Sequence, residues 1–162
     1  AGITLDTKNF AVKTGVRTFE AAAYLRRRGA NTLTVKGMFS DNIETYREKV
    51  DIVCKAHVYR GCAISIAPSG DGDIRLASAQ AADEMLNLKG VDASFVLFED
   101  NNQINISARS YGNVNVQIIM EKLGGGGHQT MAATQLKNTT KEFAYQQLLS
   151  EIDSTLDDEE NS

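Results

Sequence analysis

Two groups of residues between Asn105 and His128 have the types and spacing to act together on a phosphate. Ser107 and Arg109 are two positions apart, which on a strand aims a hydroxyl and a guanidinium to one side. A guanidinium matches phosphate oxygens with a planar fork, and each charge-assisted hydrogen bond contributes about 1.5–3 kcal/mol. Further along, Gly124, Gly125, Gly126 and Gly127 run into His128. One left-handed glycine suffices to end a helix. The others suit a backbone that approaches a ligand closely, with N–H groups and the His128 imidazole converging on the same oxygen. Taken singly, each feature has a plainer reading: a flexible turn, a solvated arginine, a structural histidine. Their combination is what points to phosphate.

These residues need a scaffold. Residues 93–98 and 103–109 alternate around Glu99, Asp100, Asn101 and Asn102, predicting a β-hairpin with a four-residue connection whose second arm carries Ser107 and Arg109. A helix from about Val114, with Ile118 and Ile119 inward, leads into the glycines. Residues 131–136 predict a strand, and Thr139 with Glu142 a capping box for a last helix that turns Ala144, Leu148 and Ile152 inward. Upstream, residues 62–67 read as a buried strand and residues 68–72 as a turn. The helix that follows carries Ile74, Ala77, Ala81, Met85 and Leu88 on one face and closes at Gly90. An earlier helix starts at Asp41 and Glu44, and its apolar stripe, Ile43, Tyr46, Val50, Val53 and Cys54, continues to His57, read as a packing histidine.

The N-terminal part is less regular. Ile3 and Leu5 alternate like a strand that ends at Asp6. Residues 18–28 predict a short helix with Thr18 as N-cap and Gly29 at its end, and residues 31–39 are ambiguous, strand-like but interrupted by Gly37. After Leu156 the acidic run has nothing to bury and predicts disorder. The fold class is α/β (α+β), a mixed sheet flanked by helices.

Composition narrows the function. The 162 residues, 42% hydrophobic, suit one ordinary core with part of a second domain. No run approaches the roughly 20 apolar residues of a membrane span, so no direct membrane contact is expected. A start at Ala1 without Met reads as a fragment of a longer protein. Net charge is −4, and Asp157, Asp158, Glu159 and Glu160 account for it. The near-neutral remainder disfavours a protein that tracks long nucleic acid with a basic stripe, while a small nucleotide held by local contacts fits. Cys54 and Cys62 lack the spacing of a zinc site, with or without His57, and read as reduced thiols of a cytoplasmic protein.

The run from Ser107 to Ser110, the helix, the glycines to His128, and Ala132-Ala133 together resemble the DHH-associated domain of DHH-family phosphoesterases. The wording of residues 104–136 resembles the bacterial cyclic-di-AMP phosphodiesterase branch of that family; nucleic-acid-binding domains of DHH exonucleases or oligoribonucleases are the alternative. The resemblance covers nearly all of the chain and divides it into a C-terminal remnant of the DHH domain (1–39), a connecting helix (40–57), the associated domain (58–156) and an acidic tail (157–162). It implies hydrolysis of cyclic-di-AMP to the linear dinucleotide with two Mn²⁺ ions. Gly2, Ile3, Asp6, Thr7 and Phe10 match a segment that supplies an aspartate ligand, which would make Asp6 a metal ligand. Ser107 and Arg109 would hold a phosphate, Gly126 and Gly127 would let it approach, and His128 would be catalytic, donating to a non-bridging oxygen. The other metal ligands of the family have no counterpart in the sequence, so the chain by itself is expected to be inert. A cyclic dinucleotide or short oligonucleotide, an upstream DHH domain and a second copy are the implied partners, with a membrane-anchored parent.

Overall fold

The computed structural model describes residues 1–7, 9–11, 13–40, 42–68 and 73–160. The chain forms two compact units, Ala1–Asn42 and Ile43–Ser162.

The first unit holds α1 (Gly2–Asp6), α2 (Val16–Arg27) and α3 (Thr32–Gly37). The strand expected at its start is instead helical, closed by Thr7, whose hydroxyl donates to the Ile3 carbonyl at 2.6 Å. Two alternating apolar residues are too few to separate a period of 2 from one of 3.6. Gly15, not Thr18, is the N-cap of α2; Thr18 instead reaches back, its hydroxyl accepting from the Gly15 N–H at 3.4 Å. The ambiguous stretch becomes α3 because the Asn31 side chain accepts from the N–H groups of Leu33 and Thr34. No described hydrophobic side chain of this unit belongs to the buried core, and Val16, Phe19, Leu33 and Met38 are more than half exposed.

The second unit is a sheet between two helical layers. In chain order its elements are α4 (Ile43–Cys54), β1 (His57–Tyr59), β2 (Cys62–Ile66), α5 (Ile74–Met85), β3 (Ala93–Asp100), β4 (Gln103–Ser110), α6 (Val116–Lys122), β5 (Gly126–His128), β6 (Met131–Leu136) and α7 (Lys141–Glu160). The strand order is β1-β2-β3-β4-β6-β5, with β2 and β3 parallel and the other neighbours antiparallel. On one face α6 and α7 bury Phe95, Leu97, Ile106 and Ala108 against Ile119, Leu148 and Ile152. On the other, α4 and α5 bury Ala63, Val96 and Phe98 against Ile52, Ala77, Ala81 and Met85. Strand β3 is covered on both sides, which is why its apolar run is continuous and not alternating. Two inward serines bind the helices to the sheet: Ser65 Oγ donates to the Ile52 carbonyl and Ser94 Oγ to the Ala82 carbonyl, each at 2.6 Å.

Several expectations are corrected here. The β3–β4 connection is two residues, Asn101 and Asn102, both left-handed (φ 52° and 57°), the turn whose twist matches paired strands. A second such turn, Arg60-Gly61, joins β1 to β2, and β1 was not anticipated. α4 ends at Cys54, so His57 opens β1, exposed, with Nε2 2.8 Å from the Tyr145 hydroxyl. On that helix Ile52 is buried, whereas Ile43 and Tyr46 are more than half exposed. Ile119 is buried but Ile118 is 41% exposed. Thr140, one residue after Thr139, caps α7 by accepting from the Phe143 N–H at 3.2 Å. Nor does order end at Leu156. α7 continues to Glu160, because Asp153 and Asp157, one turn apart, both pair with Arg60 at 3.0 and 2.7 Å. Asp41, the turn residues Ser69 to Gly72, and Asn161 and Ser162 lie outside the described residues.

Candidate phosphate-binding site

Strand register decides which side chains meet, since residues paired across neighbouring strands project from the same face. Ser107 pairs with Ala133, and Ala133 with Gly126; Arg109 pairs with Met131, and Met131 with His128. Ala108 and Ala132, the alternate residues, belong to the core under α6 and α7. The two rows therefore lie on the α5 side. There Met131, Ala133 and His128 are exposed. With strands about 4.8 Å apart, the Cα atoms of Arg109 and His128 are about 10 Å apart.

Arg109 lies at the inner end of its row and is only 8% exposed. Its Nη1 donates to the Ala108 carbonyl at 3.0 Å, and its Nε is 3.5 Å from Asp83 Oδ2 on α5. That second distance is a charge contact, too long for a good hydrogen bond. The buried Nε makes no hydrogen bond among the described residues. An unsatisfied buried donor costs about 1–3 kcal/mol, more when charged, so it calls for an explanation. Here the Asp83 carboxylate faces Nε and offsets its charge, and an anion reaching this corner of the sheet would meet the Nη2 end, which neither contact takes.

Each glycine of the run has its own reason. α6 ends in a Schellman motif: Gly124 is left-handed (φ 77°), its N–H donates to the Glu121 carbonyl at 2.9 Å, and the Gly125 N–H donates to the Met120 carbonyl at 2.8 Å. A Cβ on Gly125 would stand 2.2 Å from the Ala133 oxygen, and one on Gly127 (φ 149°) 2.5 Å from the Ala132 Cα. Those two glycines let β5 lie against β6. A Cβ on Gly126 meets nothing within 4 Å and would project onto the open face. Only Gly126 lacks a reason inside the protein, so at most one glycine of the run is left for close approach of a ligand, where the sequence suggested three.

The loop that carries His128 is tied down. Thr134 Oγ1 donates to the Leu123 carbonyl at 2.9 Å. In the turn between β5 and β6, the Gln129 carbonyl accepts from the Val116 N–H at 3.1 Å and the Thr130 carbonyl from the Ser110 N–H at 3.0 Å. Gln129 Nε2 adds a bond to the Gly112 carbonyl at 3.0 Å. His128 is thus held between β4, α6 and β6 while its side chain remains exposed.

The expected metal ligand is a different case. Asp6 is exposed at the end of α1, and no three His, Cys, Asp or Glu side chains among the described residues are grouped to hold a metal ion. The described residues of this chain do not assemble a metal centre. No helix among them is long and apolar enough to cross a membrane. Sequence reasoning missed Asp83 and Met131: Asp83 sits off the apolar stripe of α5 like any solvated carboxylate, and nothing local announces its partner.

The chain belongs to the DHHA1 domain family, which matches residues 61–158. Its similarity then extends to particular proteins. It is 47% identical over 156 residues to the cyclic-di-AMP phosphodiesterase PdeA of Listeria monocytogenes, covering 95% of this chain and 24% of that protein. It is 43% identical over 157 residues to the cyclic-di-AMP phosphodiesterase GdpP of Bacillus subtilis, covering 94% of this chain and again 24% of the relative. The chain thus spans about a quarter of the length of these relatives. Among solved structures, an exopolyphosphatase-related protein from Bacteroides fragilis shares the fold, with a TM-score of 0.79 over 96% of this chain and 47% of that one, at 18% identity.

Proposed function

We propose that this chain is the substrate-binding part of a metal-dependent phosphodiesterase that opens cyclic-di-AMP to the linear dinucleotide. The observation that carries this reading is the row Arg109–Met131–His128 beside Gly126, buried under α5 at its Arg109 end and exposed at Met131 and His128. Arg109 and Ser107 hold a phosphate at the inner end. Gly126 removes the side chain that would block the dinucleotide from the sheet. His128, exposed at the outer end, donates an N–H to a non-bridging oxygen of the scissile phosphate and strengthens that bond as charge develops there. The catalytic metal ions, two Mn²⁺ in this reading, are held mostly by a companion DHH domain outside this chain, with Asp6 contributing one carboxylate. The apolar side chains exposed on the first unit suit a segment that completes such a domain. This chain alone is then inactive toward cyclic-di-AMP.

Calorimetric titration of cyclic-di-AMP into the chain without metal tests the reading. Binding that is markedly weakened, yet still measurable, in both His128→Ala and Arg109→Ala is the expected result. A parent chain that binds no cyclic-di-AMP, or binds single-stranded oligonucleotides with steep salt dependence instead, would overturn it.

A further inference from the structure

We infer that Asp83 is a positioning residue for Arg109, setting the plane of the guanidinium so that its free end meets the phosphate. This role rests on the reading of Arg109 given above. A guanidinium has five N–H donors in one plane, so two contacts from different directions fix its orientation. Here the Ala108 carbonyl takes Nη1 at 3.0 Å and the Asp83 carboxylate faces Nε at 3.5 Å. The Nη2 end is the one neither contact takes. One contact comes from the arginine's own strand and the other from α5, so the fork is braced between helix and sheet.

The length of the Asp83 contact matters as much as its presence. A buried cation needs a nearby opposite charge to offset desolvation. A close bidentate carboxylate would do that but would also occupy the donors a phosphate requires. At 3.5 Å, with Asp83 side-chain exposure of 42% against 10% for Arg109, the carboxylate neutralises and aims the guanidinium without saturating it. The arginine then does not have to be ordered when the ligand arrives, and that ordering is a main cost of binding through long side chains.

The test is a double-mutant cycle read by calorimetry with cyclic-di-AMP, using the parent, Asp83→Ala, Arg109→Ala and the double variant. Asp83→Ala is expected to weaken binding about three- to tenfold, the cost of ordering one rotamer-rich side chain, although it removes a negative charge near an anion. In the Arg109→Ala background the same change is expected to do nothing. The Arg109 Nε–H resonance of the free protein, read by NMR, is expected to broaden or shift from parent to Asp83→Ala while the melting temperature stays put. Asp83→Asn, which keeps the shape and an acceptor oxygen, guards against misfolding and is expected to fall between parent and alanine variant. Unchanged or tighter binding in Asp83→Ala, or an equal loss with and without Arg109, overturns the role of Asp83 alone. Absence of binding by the parent overturns the phosphate-site reading and this role with it.

Discussion

Arg109 and His128 stand on one row of the sheet, two strands apart, with Met131 paired to both. Arg109 is buried and His128 exposed, so under the proposed function a ligand on this row is anchored at one end and open to attack at the other.

The glycines separate fold from binding. Gly125→Ala and Gly127→Ala place a methyl within 2.2–2.5 Å of β6, and each is expected to cost at least about 1–3 kcal/mol through overpacking. Gly126→Ala meets nothing within 4 Å and should change stability by less than about 0.5 kcal/mol while weakening cyclic-di-AMP binding. Chemical denaturation and calorimetry on the three variants decide this; equal stability losses at all three positions would contradict the assignment.

The turn between β3 and β4 offers a local test. Asn101 and Asn102 both have positive φ, which costs a residue with a branched Cβ about 1–2 kcal/mol. Asn102→Val is therefore expected to lower the midpoint of urea unfolding. Asn102→Gly, giving the Asn-Gly pair this turn favours, should raise it.

Burial pushes the Cys62 thiol up from 9.0 to about 12, while Cys54 is exposed. In the pH range between these values the unfolded chain loses the Cys62 proton and the folded chain keeps it. Stability from this group is complete below about pH 9 and declines as pH rises toward 12. Comparison of parent and Cys62→Ala by urea unfolding near neutrality and at high pH should show a steeper alkaline loss in the parent. A thiol reagent should modify one cysteine, Cys54, in the folded chain.

Arg60 bridges Asp153 and Asp157 from the β1–β2 turn, and its partners are partly exposed. Removing it in Arg60→Ala is expected to cost only about 0.2–1 kcal/mol globally. Amide exchange in the last two turns of α7 should accelerate more than elsewhere, and uniform exchange rates along the helix would argue against this anchor.

Much of the site could be read from residue types. The alternation of Ser107 and Arg109 on one strand and the inward Ala144, Leu148 and Ile152 of α7 are local signals that appear where their periods placed them, whereas the stripes of α4 and α6 were only partly right. What could not be read is non-local. The pairing of Met131 with Arg109 joins strands separated by α6 and β5, and no local pattern fixes that register. The meaning of Gly125 and Gly127 depends on the same pairing, because their constraint comes from the backbone of β6. α1 was misread because two apolar residues cannot define a period, and His57 because an apolar stripe carries no mark of where its helix stops. Disorder was expected in the tail because Arg60 lies far upstream of the aspartates it holds.

The seam between β4 and β6 has a consequence for how the molecule can fail. It joins two hairpins, each able to form locally, through a single pairing. A slip of one residue would turn Met131 and Ala133 into the core and Ala132 and Thr134 outward, breaking the bond from Thr134 to Leu123. A misaligned chain with a sound interior but a rearranged outer face is therefore not available: slippage of this seam must come with loss of packing.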